Sequence, residues 1–336
     1  MSAGHPRRST VTLSSRLRQI QPKYQRSPKM VVVNQWLILF VYICTFLVGL
    51  PSNILAMSTL FKKLGDKPNP TDVLLFNLVV SDLIFLFFLP LKMYEAVMGM
   101  RWYLSKTLCS MTAYVFFTTI YSSSLLLMAI AVDRYFAVVF PIKYRNNRKP
   151  VYAMAGSVLI WLIAGSNLSL VIYVVQMPEP NGTAPRPVCY DNFTEEQKRV
   201  LMPFRLELFT LLYLVPLLIC LFCYASCIYF LYTRPLMSKD KKQRAIGMAF
   251  GTLSIFLVCF LPYNVSHLIT YSTNTSPSWR AYALLMCTLN TSLDPIVFYF
   301  SSSTFRDKNS FSVLNMLHIG LQKVKDKATE MNIISP

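Results

Sequence analysis

Residues 107–140 read TLCSMTAYVFFTTIYSSSLLLMAIAVDRYFAVVF. The first 26 of these, Thr107 to Val132, carry no charged side chain. At about 1.5 Å per residue a helix of that length covers ~39 Å, more than the ~30 Å hydrocarbon core of a bilayer. The run closes on Asp133-Arg134-Tyr135, where charge returns at a membrane edge.

Six further apolar stretches flank this one. They lie near Trp36 to Phe61, Thr71 to Tyr94, Val151 to Val175, Val200 to Tyr232, Arg244 to Tyr271 and Arg280 to Ser302. Strands of ~10 alternating residues, the signature of a membrane barrel, are not the pattern. The fold class is therefore an all-α membrane protein, a seven-transmembrane helix bundle. The chain divides into an outer N-terminal tail (1–32), the bundle (33–303) and an inner tail (304–336), where Ser310 to Val324 reads as a short amphipathic helix on the inner membrane surface.

Composition agrees and excludes other classes. The 336 residues are 54% hydrophobic and only 14% charged, yet carry 33 Lys+Arg against 15 Asp+Glu, a net charge of +18. Disorder needs low hydrophobicity, and a nucleic-acid binder needs a basic patch on an ordinary soluble surface. Eight cysteines are too sparse for a secreted disulfide scaffold.

The positions of the charges set the topology. The loops after spans 1, 3 and 5 hold Lys62, Lys63, Lys67, Lys143, Arg145, Arg148, Lys149, Arg234, Lys239, Lys241, Lys242 and Arg244. The opposite loops hold Arg101, Lys106, Arg186, Lys198 and Arg199, offset by Glu95, Glu179, Asp191, Glu195 and Glu196. The first set is cytoplasmic by the positive-inside rule, so the N-terminus is outside and the chain is multi-pass, in contact with membrane lipid; a plasma-membrane location is the expectation. Sequons at Asn181, Asn192 and Asn274 fall on the outer loops and are candidate glycosylation sites; those at Asn167, Asn264 and Asn290 fall within spans and are chance matches. Residues 1–29 hold seven Lys/Arg and no acid, with no apolar run, and read as an upstream extension, with Met30 a candidate start.

Polar residues inside spans need a reason. Asn53, Asp82, Ser123, Asp133-Arg134-Tyr135, Trp161, Pro216, Tyr224, Phe256, Cys259-Phe260, Pro262, Asn290, Asp294-Pro295 and Phe298-Tyr299 stand in a fixed order. This set resembles the rhodopsin-like G-protein-coupled receptors, over about residues 33 to 303. The resemblance implies that Arg134 pairs with Asp133 at rest and meets a heterotrimeric G protein, and later arrestin, on activation. It implies a hinge at Pro262, with Phe260 two residues before it, and a part in activation for Phe260, Tyr135, Tyr224, Asp294 and Pro295. It implies an allosteric sodium ion held by Asp82, Ser123, Asn290 and Asp294, and no other cofactor. With Cys109 at the outer end of span 3 and Cys189 in the second outer loop, a disulfide is expected on the oxidising side. The chain departs from the family at Phe260, usually Trp, at Asp294, commonly Asn, and at Phe298, commonly Tyr.

No catalytic triad or phosphate-binding glycine motif stands in the sequence, so the reading is a receptor and not an enzyme. Cys223 and Cys227 share a helix face, but no second ligand pair accompanies them, so no transition-metal site is expected. An amine ligand would need an acid on span 3, and Cys109 to Val132 has none; retinal would need a lysine in residues 280–302, which have none. The charges that do point to the outer half are Arg205 and Arg280. Tyr263 and His267, four apart, share a face of span 6. Forked guanidinium donors match a planar carboxylate. A hydroxy acid or a nucleotide would also satisfy two arginines. A carboxylate transporter would show repeated halves, which are lacking here.

A narrower resemblance follows from Phe46-Leu47-Val48-Gly49-Leu50-Pro51, Cys189-Tyr190-Asp191-Asn192-Phe193-Thr194, Pro203-Phe204-Arg205-Leu206-Glu207-Leu208, Pro262-Tyr263-Asn264-Val265-Ser266-His267 and Ser276-Pro277-Ser278-Trp279-Arg280. These runs are similar to the free fatty acid receptors, and nearest to their short-chain branch. The resemblance implies a ligand carboxylate gripped by Arg205 and Arg280 with help from Tyr263 and His267, a pocket bounded by Phe117 and Tyr121, and coupling to Gi/o or Gq. Asn167 stands where that family has His, and is expected to delimit a small cavity with Phe117 and Tyr121.

Overall fold

A computed structural model describes residues 34–66, 68–177, 189–190, 193–233 and 239–301. The leader, the sequons at Asn181 and Asn192, and the inner-tail helix lie outside the described residues. Seven helical spans cross in order: α1 (Gln35–Asp66), α2 (Pro70–Val97), α3 (Lys106–Val139), α4 (Pro150–Gln176) and α5 (Glu195–Thr233), then α6 as Lys239–Ser254, Ile255–Phe260 and Leu261–Thr273, and α7 as Arg280–Thr288 and Asn290–Ser301. A short inner-loop helix, Pro141–Asn147, follows α3.

The helix starts follow from local chemistry. Proline opens α2, α4 and the inner-loop helix, where its missing N–H costs nothing. Ser105 caps α3 by accepting from the Leu108 amide at 3.2 Å. Thr194 and Gln197 form a capping box that starts α5 at Glu195, ahead of the expected Val200. Likewise α2 runs on to Val97 and takes Glu95 out of the loop. Glu95 is buried and paired with Lys92 at 2.8 Å, so its charge does not offset the outer loop's basic residues.

α3 lies at the centre, packed against α2, α4 and α5. Its residues Phe116 to Leu127 are buried on every face. A helix surrounded by helices needs no polar stripe, which is why the quoted segment has no helical periodicity. Conversely Phe87, Phe250 and Leu47 are exposed on the bundle's outside, as lipid-facing residues are. Gly49 brings α1 close to α2 and α7: a Cβ there would meet Leu86 at 3.3 Å and Thr291 at 3.4 Å.

Proline falls inside five of the spans, and at two of them, Pro295 and Pro216, the carbonyl it leaves has a partner. Pro295 cannot donate to the carbonyl of Thr291; the Asn53 amide donates to that oxygen instead, at 3.0 Å across from α1. Pro216 leaves the carbonyl of Leu212, which accepts from the Ser124 hydroxyl of α3 at 2.9 Å. Just before Pro216 and Pro262 the helices widen into π-helical turns, Leu208–Leu214 and Ile255–Phe260. Such turns mark functional segments. The Tyr213 hydroxyl joins the two by donating to the Phe256 carbonyl at 3.3 Å. α7 is broken at Leu289, so six of the described helices are individually long and apolar enough to cross a bilayer and the seventh crosses in two pieces.

Candidate functional site

The outer half of the bundle gathers Arg205, Phe117, Tyr121, Tyr263, His267 and Arg280. Arg205 is 3% exposed on α5, although arginine is rarely buried. Its guanidinium lies 5.2 Å over the ring of Phe193. Arg280, the first residue of α7, donates through Nη2 to the Tyr263 hydroxyl at 3.0 Å and sits 5.0 Å over the same ring. Tyr263 in turn stacks on Phe117 of α3 at 6.0 Å and meets the His267 imidazole edge-on at 4.6 Å. The Tyr121 hydroxyl reaches His267 Nε2 at 3.3 Å and Asn264 Oδ1 at 3.4 Å, closing the cluster on its inner side.

Arg205 stands over Phe193, which packs on Tyr190, which packs on Phe117, the ring that stacks on Tyr263, the partner of Arg280. The arginines from α5 and α7 therefore converge on one region. Within it, Arg280 Nη1 and His267 Nδ1 are buried without a hydrogen-bond partner. The buried Arg280 N–H in that condition is costly, as is Nδ1–H in the tautomer whose Nε2 accepts from Tyr121, and an anion that accepts from them relieves the cost.

Asn167 shares no hydrogen bond with this cluster among the described residues. It is half-buried on α4, and its amide donates to the Ile163 carbonyl of its own helix at 2.8 Å. Two residues not singled out from the sequence are present instead. Asn264 is fully buried, bridging Tyr121 to the Phe260 carbonyl, to which its amide donates at 2.9 Å. Tyr190 follows Cys189, which is bonded to Cys109, and packs on Phe117 at 5.0 Å. Burial pushes the Tyr190 phenol up to about 12, aided by Tyr263 and opposed by Arg205 and Arg280, so it stays neutral at physiological pH. Both residues stood inside the quoted sequence runs, but as loop and helix filler with no charge to draw notice.

Deeper in the bundle, Asp82, Ser123 and Asn290 line a cavity of about 10 Å³, together with Thr119 and Thr291. Asp294 is fully buried and acts on Asp82. Asp82 Oδ2, Asn290 Oδ1 and both Asp294 oxygens have no hydrogen-bond partner. Hard oxygen donors around a space of one water's size fit a small monovalent cation. Among the described residues no cluster of three or more His, Cys, Asp or Glu could hold a metal.

At the inner end Asp133 and Arg134 lie 3.8 Å apart. Asp133 accepts from Thr71 at 2.5 Å and from Tyr144 of the inner-loop helix at 2.6 Å, and Arg134 also donates to Thr71. Burial and the Asp133 carboxylate raise the Tyr144 phenol well above its usual range. Tyr135 packs on Phe222 of α5 at 5.6 Å. Tyr224 of α5 shares a 3.0 Å hydrogen bond with Thr252 of α6. Phe260 is fully buried edge-on against Phe256, directly before Leu261 and Pro262. Asn274 is exposed just beyond α6, with φ 53, as an accessible sequon is.

A bundle of seven spans with a disulfide over its mouth, a polar core and an Asp-Arg pair at the inner end defines a membrane receptor. The family model of the seven-transmembrane receptors of the rhodopsin family matches residues 52–298, and the chain belongs to that family. It is 43% identical over 280 residues to free fatty acid receptor 3 of Mus musculus, covering 81% of this chain and 85% of the relative. It is 41% identical over 273 residues to free fatty acid receptor 2 of Mus musculus, covering 80% and 83%. Proteinase-activated receptor 1 of Mus musculus is more distant, at 30% over 297 residues, covering 84% and 68%. The chain is thus a multi-pass plasma-membrane receptor that signals to G proteins in response to a small-molecule ligand, and not an enzyme.

Proposed function

We propose that this receptor is activated by short-chain fatty acids, whose carboxylate bridges Arg205 and Arg280. The observation that carries this is the chain of ring contacts from Arg205 over Phe193 through Tyr190, Phe117 and Tyr263 to Arg280, with Arg280 Nη1 and His267 Nδ1 buried and unpartnered. The relatives are free fatty acid receptors, which supports the same ligand class.

The chemistry is binding. Arg205 sits on α5, Tyr263 and His267 on α6, and Arg280 on α7. One anion accepting from these groups draws three helices together at their outer ends. To activate, it must favour the active arrangement over the resting one; equal affinity shifts nothing. The link inward runs from Tyr121 and His267 through Asn264 to the Phe260 carbonyl at the start of the Leu261–Thr273 segment. Movement of α6 there breaks the Tyr224–Thr252 contact and opens the inner face, where Arg134 leaves Asp133 and Thr71 for a G protein of the Gi/o or Gq class. Arrestin then binds the same opened face. A ligand of a few heavy atoms gains at most about 1.5 kcal/mol per atom, so affinity no tighter than roughly micromolar is expected.

Asp82, Ser123, Asn290 and Asp294 serve as the cradle of an allosteric sodium ion, which would hold α2, α3 and α7 in the resting arrangement. Replacing sodium by N-methylglucamine should lower the melting temperature of the ligand-free receptor, and Asp82→Asn should abolish that difference.

The ligand reading is tested by G-protein activation in cells across saturated acids from acetate to dodecanoate. The response is expected to peak at short chains and to vanish in Arg205→Ala and in Arg280→Ala at matched surface levels. Retained responses in both variants overturn it.

A further inference from the structure

Tyr190 is placed by two constraints. Its predecessor Cys189 is bonded to Cys109 at the outer end of α3, within a small buried cluster with Trp102. Its own backbone has φ 60, the left-handed region that aromatic residues seldom adopt. A non-glycine residue held there needs compensating contacts, and such positions cluster at functional sites. The contacts are present. The Tyr190 ring packs on Phe117 at 5.0 Å and edge-on against Phe193 at 5.0 Å. Phe193 carries the Arg205 guanidinium on its face at 5.2 Å, and Phe117 stacks on Tyr263, the partner of Arg280. The turn thus drops one aromatic side chain between the walls that hold the two arginines.

We infer that Tyr190 is a specificity-determining residue, whose ring closes the outer side of the pocket and limits the length of the acid the receptor accepts. This rests on the clamp reading above. The inner side is already shut, because Tyr121 and His267 approach to 3.3 Å and Phe117 and Tyr263 to a 6.0 Å stack. A carboxylate held between the arginines therefore has its hydrocarbon chain confined between these contacts and Tyr190. A pocket discriminates one methylene by about tenfold or more when its wall cannot yield. The Tyr190 wall is tied on one side by a disulfide and on the other by two rings.

The test compares Tyr190→Gly, Tyr190→Asn and Tyr190→Phe with the wild type, by G-protein activation in membranes across acetate to decanoate at matched receptor levels. Glycine and asparagine both tolerate the left-handed conformation, so neither strains the turn. In Tyr190→Gly and Tyr190→Asn, hexanoate and octanoate should gain about tenfold in potency relative to propionate. Tyr190→Phe keeps the ring and should keep the wild-type rank order. A merely structural role would shift every acid by the same factor. An unchanged rank order in both Tyr190→Gly and Tyr190→Asn, while Arg205→Ala is silent, overturns this inference and leaves the clamp standing. Responses that survive in both Arg205→Ala and Arg280→Ala overturn both.

Discussion

Arg280 Nη2 lies 3.0 Å from the hydroxyl of Tyr263, so that the first residue of α7 is bonded to the outer segment of α6. The same tyrosine stacks on Phe117, and through it α3, α6 and α7 meet at one ring. Removing only the oxygen keeps the stack and cuts the bond to the cation. Tyr263→Phe should therefore weaken propionate about tenfold, the scale of one hydrogen bond to a charged group. In an Arg280→Ala background the second change should add almost nothing. A double-mutant cycle on the melting temperature of the ligand-free receptor measures the coupling between the two residues, and additive effects would count against it.

At the inner end, Asp133 accepts from both Thr71 and Tyr144. Tyr144→Phe removes one of these anchors from outside the membrane span. The resting arrangement should lose up to about 1.5 kcal/mol, raising ligand-free nucleotide exchange by as much as ~tenfold. Guanine-nucleotide binding in membranes without added acid reads this directly. An unaltered basal rate would show that Tyr144 does not hold the resting state.

The Asn53 amide serves the Thr291 carbonyl that Pro295 cannot serve. Asn53→Ala should leave that oxygen unsatisfied in a dry interior, at a cost of about 1–3 kcal/mol. The melting temperature of the detergent-solubilised receptor should fall accordingly. Pro295→Ala restores a backbone donor to the same carbonyl, so the double variant should recover part of the loss. Equal losses in the single and double variants would exclude this account.

The Cys109–Cys189 bond closes 80 residues and anchors the loop that carries Tyr190. Cys109→Ala with Cys189→Ala should destabilise the receptor by about 2–5 kcal/mol. It should also flatten the chain-length profile, because Tyr190 is no longer held over Phe117. Surface expression and the acid panel report these two effects separately.

Asn167 donates to its own helix at Ile163 and makes no hydrogen bond to Phe117, Tyr121 or either arginine. Asn167→Ala should therefore leave the potency order from acetate to hexanoate unchanged. A shift in that order would restore the cavity role its position in the sequence had implied.

What the amino-acid sequence determined by itself is the set of spans and the side they face. A bilayer demands ~20 apolar residues per crossing, and lysine and arginine stay inside, so both features are written locally in residue type. The arginines were legible for the same reason. A guanidinium near the outer end of a span is an exception that shows without any neighbour. Asp133-Arg134 and the prolines were equally plain. The tertiary structure alone decided the partners: Ser124 beneath Pro216, Asn53 beneath Pro295, Tyr144 on Asp133 and Tyr190 on Phe117. Apart from the Asp133 carboxylate, these contacts join backbone carbonyls, neutral polar groups and rings from different helices and loops. Such pairings carry no local signal and exist only once the helices have packed together. It also left Asn167 tied to its own helix, because an amide takes the nearest carbonyl when no partner is brought to it.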